Sequence, residues 1–141
     1  MNTKTNLLFA ILAACLFAAA APVPVSAHHS FTAEFDGTKP IKLTGVVTKV
    51  QWMNPHIWFY VDVKNPDGTV TNWGFSGGAP GQLLRRGVPK DAIKVGETVV
   101  VEGFRAKDGT NNASGSKVTL PDGSSVFTSV YEGNARGGDP K

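Results

Sequence analysis

Three histidines, His28, His29 and His56, are the residues of this chain with most chemistry to offer. If the chain is cut after Ala27, His28 becomes an N-terminal residue whose α-amine and imidazole chelate one metal together. A third nitrogen from His56 completes a histidine brace, which suits Cu(II) because nitrogen ligands in a T-shaped or square-planar set meet its tetragonal preference. His29 is a further imidazole beside it, and Met53 is a soft thioether near His56 that favours Cu(I). Copper is therefore the cofactor such a set would take. The plainer reading is that His28 and His29 are the polar start of the mature chain and that His56 caps the turn at Asn54-Pro55, since spacing alone does not bring residue 28 to residue 56.

Trp58 and Tyr60 are the second candidate. They share the outer face of an alternating run, where sugars, peptides and bases can all stack, and are the expected ligand-binding residues. The competing reading has the segment Phe31 to Phe35 folding back over both rings, because Phe31 and Phe35 need burial somewhere. No catalytic residues are assigned. Asp62, Glu97, Glu102 and Asp108 form no acid–base pair, and neither a phosphate loop nor a two-cysteine metal spacing occurs. Arg85-Arg86 read as solvated charges that favour a helix C-terminus. The expectation is a binding module rather than an enzyme.

What stands before these residues sets their context. Lys4, the apolar run Leu7 to Ala21 and then Val25-Ser26-Ala27 read as a secretory signal peptide cleaved after Ala27. Pro22 and Pro24 would end a helix, and the run is short for spanning a bilayer, so no transmembrane segment is expected after processing. The alternative is lipidation, because Leu12-Ala13-Ala14-Cys15 fits the lipobox pattern and would anchor a lipoprotein through Cys15. Either way the protein is expected in the periplasm or outside the cell. Residues 1–27 contain Lys4 and no acidic residue, so their removal lowers the net charge from +3 to +2. That is no basic stripe, and nucleic acid is not an expected partner; a small ligand or another envelope protein is. Cys15 is the only cysteine, so the folded domain does without disulfides.

The elements that must position these residues are short strands. A chain of 141 residues with 16 Gly and 9 Pro is one domain with many turns. Ile41 to Trp52 alternates, with a phase change that a bulge at Gly45 would absorb: Ile41 and Leu43 fall in one phase, Val46, Val50 and Trp52 in the other. Ile57 to Val63 alternates cleanly. Asn65-Pro66-Asp67-Gly68 selects a type I turn with a Gly bulge, because a two-residue Asp67-Gly68 turn would put Pro66 in the ladder. That register sets Val61 opposite Trp73, Phe59 opposite Phe75, Tyr60 opposite Gly74 and Asp62 opposite Asn72, with Trp73 inside and Trp58 outside. Pro80 to Arg86 is a short helix closed by Gly87. Thr98 to Arg105 is a strand, Lys107 to Asn112 a polar loop, and Lys117 to Leu120 and Ser125 to Tyr131 are strands. Residues 132–141 are expected to be a disordered tail. This order is all-β, an OB-like Greek-key barrel of five to six strands over residues 28–131 with one short helix between strands 3 and 4. Phe59, Val61, Trp73, Phe75, Val99, Val101 and Leu43 are the expected core.

His28-His29-Ser30-Phe31, Leu43-Thr44-Gly45-Val46-Val47, Asn54-Pro55-His56, Leu83-Leu84-Arg85-Arg86-Gly87, Val101-Glu102-Gly103, Arg105-Ala106-Lys107-Asp108-Gly109 and Val118-Thr119-Leu120-Pro121-Asp122-Gly123 together resemble a family of small exported bacterial proteins of unknown function, whose mature chains open on His-His-Ser-Phe. The resemblance spans nearly all of the mature chain and departs at Gly77-Gly78, where members carry bulkier residues. It implies export and a shared fold, and no reaction.

Overall fold

A hairpin fixes the frame. In the computed structural model, which describes residues 28–128, β2 (Trp58–Lys64) and β3 (Val70–Ser76) pair with Val61 opposite Trp73, Phe59 opposite Phe75, Tyr60 opposite Gly74 and Asp62 opposite Asn72. The turn chemistry explains the register. Gly68 N–H donates to Asn65 O and Asn65 N–H to Thr69 O, with Gly68 at φ +87°, the left-handed position of a Gly bulge. Alternation then sends Phe59, Val61, Trp73 and Phe75 inward and leaves Trp58 and Tyr60 on the outer face, half-buried.

The first strand, β1 (Phe35–Gln51), is 17 residues long and serves two partners. Its second half pairs with β2. Its first half pairs with β4 (Thr98–Ala106), which in turn pairs with β5 (Asn112–Thr119). Parallel pairing of Gly74, Phe75 and Ser76 with Asn112, Ala113 and Ser114 closes the ring, and β6 (Ser125–Phe127) adds to the far half of β5. Two helices flank the barrel: α1 (His28–Glu34) before β1, and α2 (Pro80–Arg85) between β3 and β4. The order, the long shared first strand and the parallel β3–β5 closure make this an OB-fold. Val47, Phe59, Val61, Trp73, Phe75, Val99, Val101 and Val118 fill its core, with Leu43 packed against them at the rim.

The helix stops as its sequence indicates. Gly87, at φ +82°, donates to Leu84 O while Val88 N–H reaches Leu83 O, a Schellman closure, and Leu83 is fully buried. Before it, Gly77 leaves no room for a Cβ, which would lie 2.7 Å from Ile57 and 3.2 Å from Thr128 O, so these two neighbours occupy the space that bulkier residues would need.

Three expectations need correction. The irregularities in β1 fall between Phe35 and Pro40 and between Val47 and Lys49, not at Gly45. Gly45 is paired with Val99 and lies against β2, where a Cβ would meet Asp62 O at 2.2 Å; the residue permits close approach of two backbones rather than a bulge. Ile41, Leu43 and Val47 therefore share the inner phase and Val46 is 42% exposed. Second, β5 begins at Asn112, five residues before the expected start at Lys117. Its start, Asn-Ala-Ser-Gly, is small because β2 and β4 press on it: Gly115 lies under the Phe59 ring of β2 and Gly103 of β4 on Ser114 O. Third, residues 28–34 are a helix, and strand pairing already begins at Phe35, opposite Ala106. The leader, Cys15 and residues 129–141, including the expected tail, lie outside the described residues.

Candidate functional site

Strand β2 presents Trp58, Tyr60 and Asp62 in a row on its outer face, and β3 supplies Asn72 and Gly74 opposite them. Gly74 makes room for the Asn112 side chain beside the aromatic rings. A Cβ there would sit 2.5 Å from Asn112 Oδ1, 3.4 Å from the Tyr60 ring and 3.5 Å from the Trp58 ring. The two rings stack on each other, 6.4 Å apart with 25° between their planes. Lys49 Nζ stands 5.4 Å over the Tyr60 ring, a cation–π contact that caps it. Beyond it Asn72 Nδ2 donates to Asp62 Oδ1 at 2.7 Å and to Thr48 Oγ1 at 3.3 Å, so this end of the face is internally hydrogen-bonded. The ring left open is Trp58.

Trp58 faces a cleft of about 500 Å³. Asn112 lines the same side; Ala33, Glu34 and Phe35 form one wall, and Lys107 and Asp108 of the β4–β5 loop another. The wall from α1 is tied down at two places, with Lys107 N–H donating to Glu34 O and Lys107 Nζ donating to Thr32 O. Phe31 packs on Phe35 at 5.6 Å and edge-on to Phe104 at 6.0 Å. The expected fold-back of Phe31 to Phe35 therefore does take place, but Phe31 goes to Phe104. The segment stands beside Trp58 as a wall instead of lying over it as a cover. Asp108 is held ionised, its carboxyl pulled below the ordinary range first by the Thr110 hydroxyl and then by the Thr110 N–H.

His56 is half-buried between β1 and β2, in a loop that contains a cis Asn54–Pro55 bond. It does not cap that turn. Its Nδ1 lies 2.9 Å from Gly77 O; a carbonyl only accepts, so Nδ1 carries the proton and Nε2 is left without one in the neutral ring. The contact fastens this loop to the connection after β3. Among the described residues no three His, Cys, Asp or Glu side chains are grouped as a metal site, and the side chains of His28 and His29 lie outside what is described.

Gly74-Phe75-Ser76-Gly77-Gly78 has the Gly-x-Ser-x-Gly spelling of a hydrolase nucleophile turn. Such a serine sits exposed on a strained turn between strand and helix. Ser76 instead belongs to β3, paired with Trp58 and Ser114 and only 8% exposed, and among the described residues none but glycine has positive φ. The spelling here records close packing, not a nucleophile.

A family model described as a family of unknown function, DUF6152, matches residues 16–117. No curated protein matches the chain. A solved structure that does is the crystal structure of Rim1, a mitochondrial single-stranded DNA-binding protein from S. cerevisiae, with 12% identity, 62% of this chain and 94% of that chain covered, and a TM-score of 0.46. Among the described residues no helix is long and apolar enough to cross a membrane.

Proposed function

Because the chain belongs to DUF6152, a family of unknown function, we propose a role from its own geometry: an exported, non-enzymatic OB-barrel module that binds a small ligand at the Trp58 cleft. The observation that carries this is the Trp58 ring, half-buried on the outer face and stacked with Tyr60, lining a cleft of about 500 Å³. In OB-folds the face of strands 2 and 3, with the loops after strands 1 and 4, is the usual ligand platform, and Trp58, Asn112 and Lys107 occupy that region. Lys4 and the apolar run to Ala21 support export, cleavage after Ala27 giving a periplasmic or secreted protein and lipidation at Cys15 an anchored one. Nucleic acid is disfavoured by charge, since Glu34, Asp62 and Asp108 oppose Lys49 and Lys107 across this face, where a phosphate track needs an unbroken run of cations. Intrinsic tryptophan fluorescence tests the reading. Soluble cell-wall fragments or a low-molecular-weight envelope extract are expected to shift or quench it in the native protein and not in Trp58→Phe; equal responses in both would overturn it, leaving a structural or protein-interaction role in the envelope.

A second reading is copper binding by the α-amine and ring of His28 with His56, helped by His29. What favours it is the Nδ1–H bond from His56 to Gly77 O, the arrangement by which a metal-binding imidazole fixes its tautomer and directs Nε2 outward. Cu(II) calorimetry on protein whose mature start has been read by mass spectrometry is expected to lose affinity when one extra N-terminal Ala is retained. Equal affinity would sink the brace.

A further inference from the structure

The lining of the Trp58 cleft narrows its occupant to one ligand class, an assignment that rests on the cleft being a binding site. The geometry points to a neutral sugar ring, stacked by its C–H face on Trp58 with its hydroxyls toward Asn112, Glu34 and Asp108. Three features of the lining decide between classes. The first is charge. Among the described residues Lys107 is the only cation of the lining, and its Nζ already donates to Thr32 O, while Glu34 and Asp108 contribute carboxylates. The Asp108 carboxyl is held ionised by the Thr110 hydroxyl and N–H. A phosphate or carboxylate ligand would meet two carboxylates against a single cation, which weighs against nucleotides and organic acids.

The second feature is the aromatic geometry. Recognition of an organic cation uses a cage of several ring faces around the charge. Here Phe35 is buried to 7% exposure and packed on Phe31, Tyr60 is capped by Lys49, and Trp58 is the one aromatic ring of the lining, among the described residues, that is half-buried rather than buried. One flat face selects a ligand with one flat apolar side. A pyranose has such a side in its axial C–H groups, and these carry the partial positive charge that a ring face attracts.

The third feature is the spread of polar groups. Asn112 offers both an amide donor and a carbonyl acceptor, and the two carboxylates accept, a mixture that matches hydroxyls, each of which donates and accepts. Asn112 Nδ2 lies 3.1 Å from Thr110 Oγ1, so its orientation is fixed before a ligand arrives. A cleft of about 500 Å³ has room for one or two such rings.

Calorimetry on the protein exported from a bacterial host tests the class with four probes: cellobiose, N,N′-diacetylchitobiose, adenosine monophosphate and tetramethylammonium. The expected result is saturable binding of at least one disaccharide, weakened tenfold or more by Trp58→Ala and severalfold by Asn112→Ala, with the nucleotide and the ammonium ion inert. Asn112→Ala keeps the test alive should Trp58→Ala fail to fold. Binding of the nucleotide or of tetramethylammonium, lost in Trp58→Ala, with neither disaccharide bound, would overturn the sugar class while leaving the cleft as a binding site. Silence from all four probes would also overturn it; the fluorescence response to envelope extract then judges the cleft separately.

Discussion

Trp58 and Trp73 show how much one turn decides at the scale of single residues. They lie on adjacent strands, yet Trp73 is 9% exposed in the core and Trp58 stands on the outer face of the barrel. Trp73→Ala is expected to cost about 3–5 kcal/mol in a denaturant titration, the range for deleting a buried aromatic, and Trp58→Ala much less. The reverse ranking would mean that the hairpin faces are exchanged. Gly45 gives a second prediction of this kind. An added methyl would lie 2.2 Å from Asp62 O, a backbone atom that cannot swing away, so Gly45→Ala is expected to destabilise by about 1–3 kcal/mol or more as an overpacked contact. The same substitution at Gly74 would press on the Asn112 side chain, which can give, so it is expected to weaken ligand binding more than it lowers the denaturation midpoint.

Among the elements, three turns and the irregular start of β1 repeat one device. Asp36-Gly37-Thr38, Asp67-Gly68-Thr69, Asp108-Gly109-Thr110 and Asp122-Gly123-Ser124 each place a carboxylate oxygen against the N–H and hydroxyl of the residue two positions on. All four carboxyls are held below their ordinary range, chiefly by that hydroxyl and next by that N–H. A depressed folded-state pKa stabilises the fold fully above the unfolded value of about 3.9, and the contribution is lost as pH falls through the lower folded value. Urea midpoints are therefore expected to drop between pH of about 5 and about 2, and Thr69→Ala to narrow that drop; an unchanged pH dependence would contradict the turn account. The short helix makes a similar case: Gly87→Ala should cost about 1–2 kcal/mol, because φ +82° forces a side chain into the left-handed region.

These elements also mark where the sequence was readable. The register of β2 and β3 was legible because Pro66 excludes one of the two turns. The start of β5 was not, because Asn112, Ala113, Ser114 and Gly115 are small for the sake of the Phe59 ring and the β4 backbone that press on them, and smallness reads as loop. The phase of β1 was misassigned for a related reason: Gly45 serves a backbone contact with β2 that no local pattern announces. Of the candidate site, the Trp58 and Tyr60 face was legible from alternation and turn alone. The wall formed by α1 and Lys107 was not, since it depends on contacts across some 75 residues, such as that of Lys107 Nζ with Thr32 O.

On the scale of the whole molecule, a barrel that closes on itself through β3 and β5 gives rigid support to one outer face, and the segments at its rim, α1 and the β4–β5 loop, make that face concave. The central claim is that binding happens there, at Trp58. The chain has three tryptophans, Trp52, Trp58 and Trp73, so a ¹⁵N-labelled sample gives three assignable indole N–H resonances. Titration with a low-molecular-weight envelope extract is the direct measurement. The Trp58 resonance, with the Asn112 side-chain amide, is predicted to move saturably while Trp73 stays in place. Movement confined to Trp52 or to the backbone around His56, with Trp58 and Asn112 unmoved, would contradict the account.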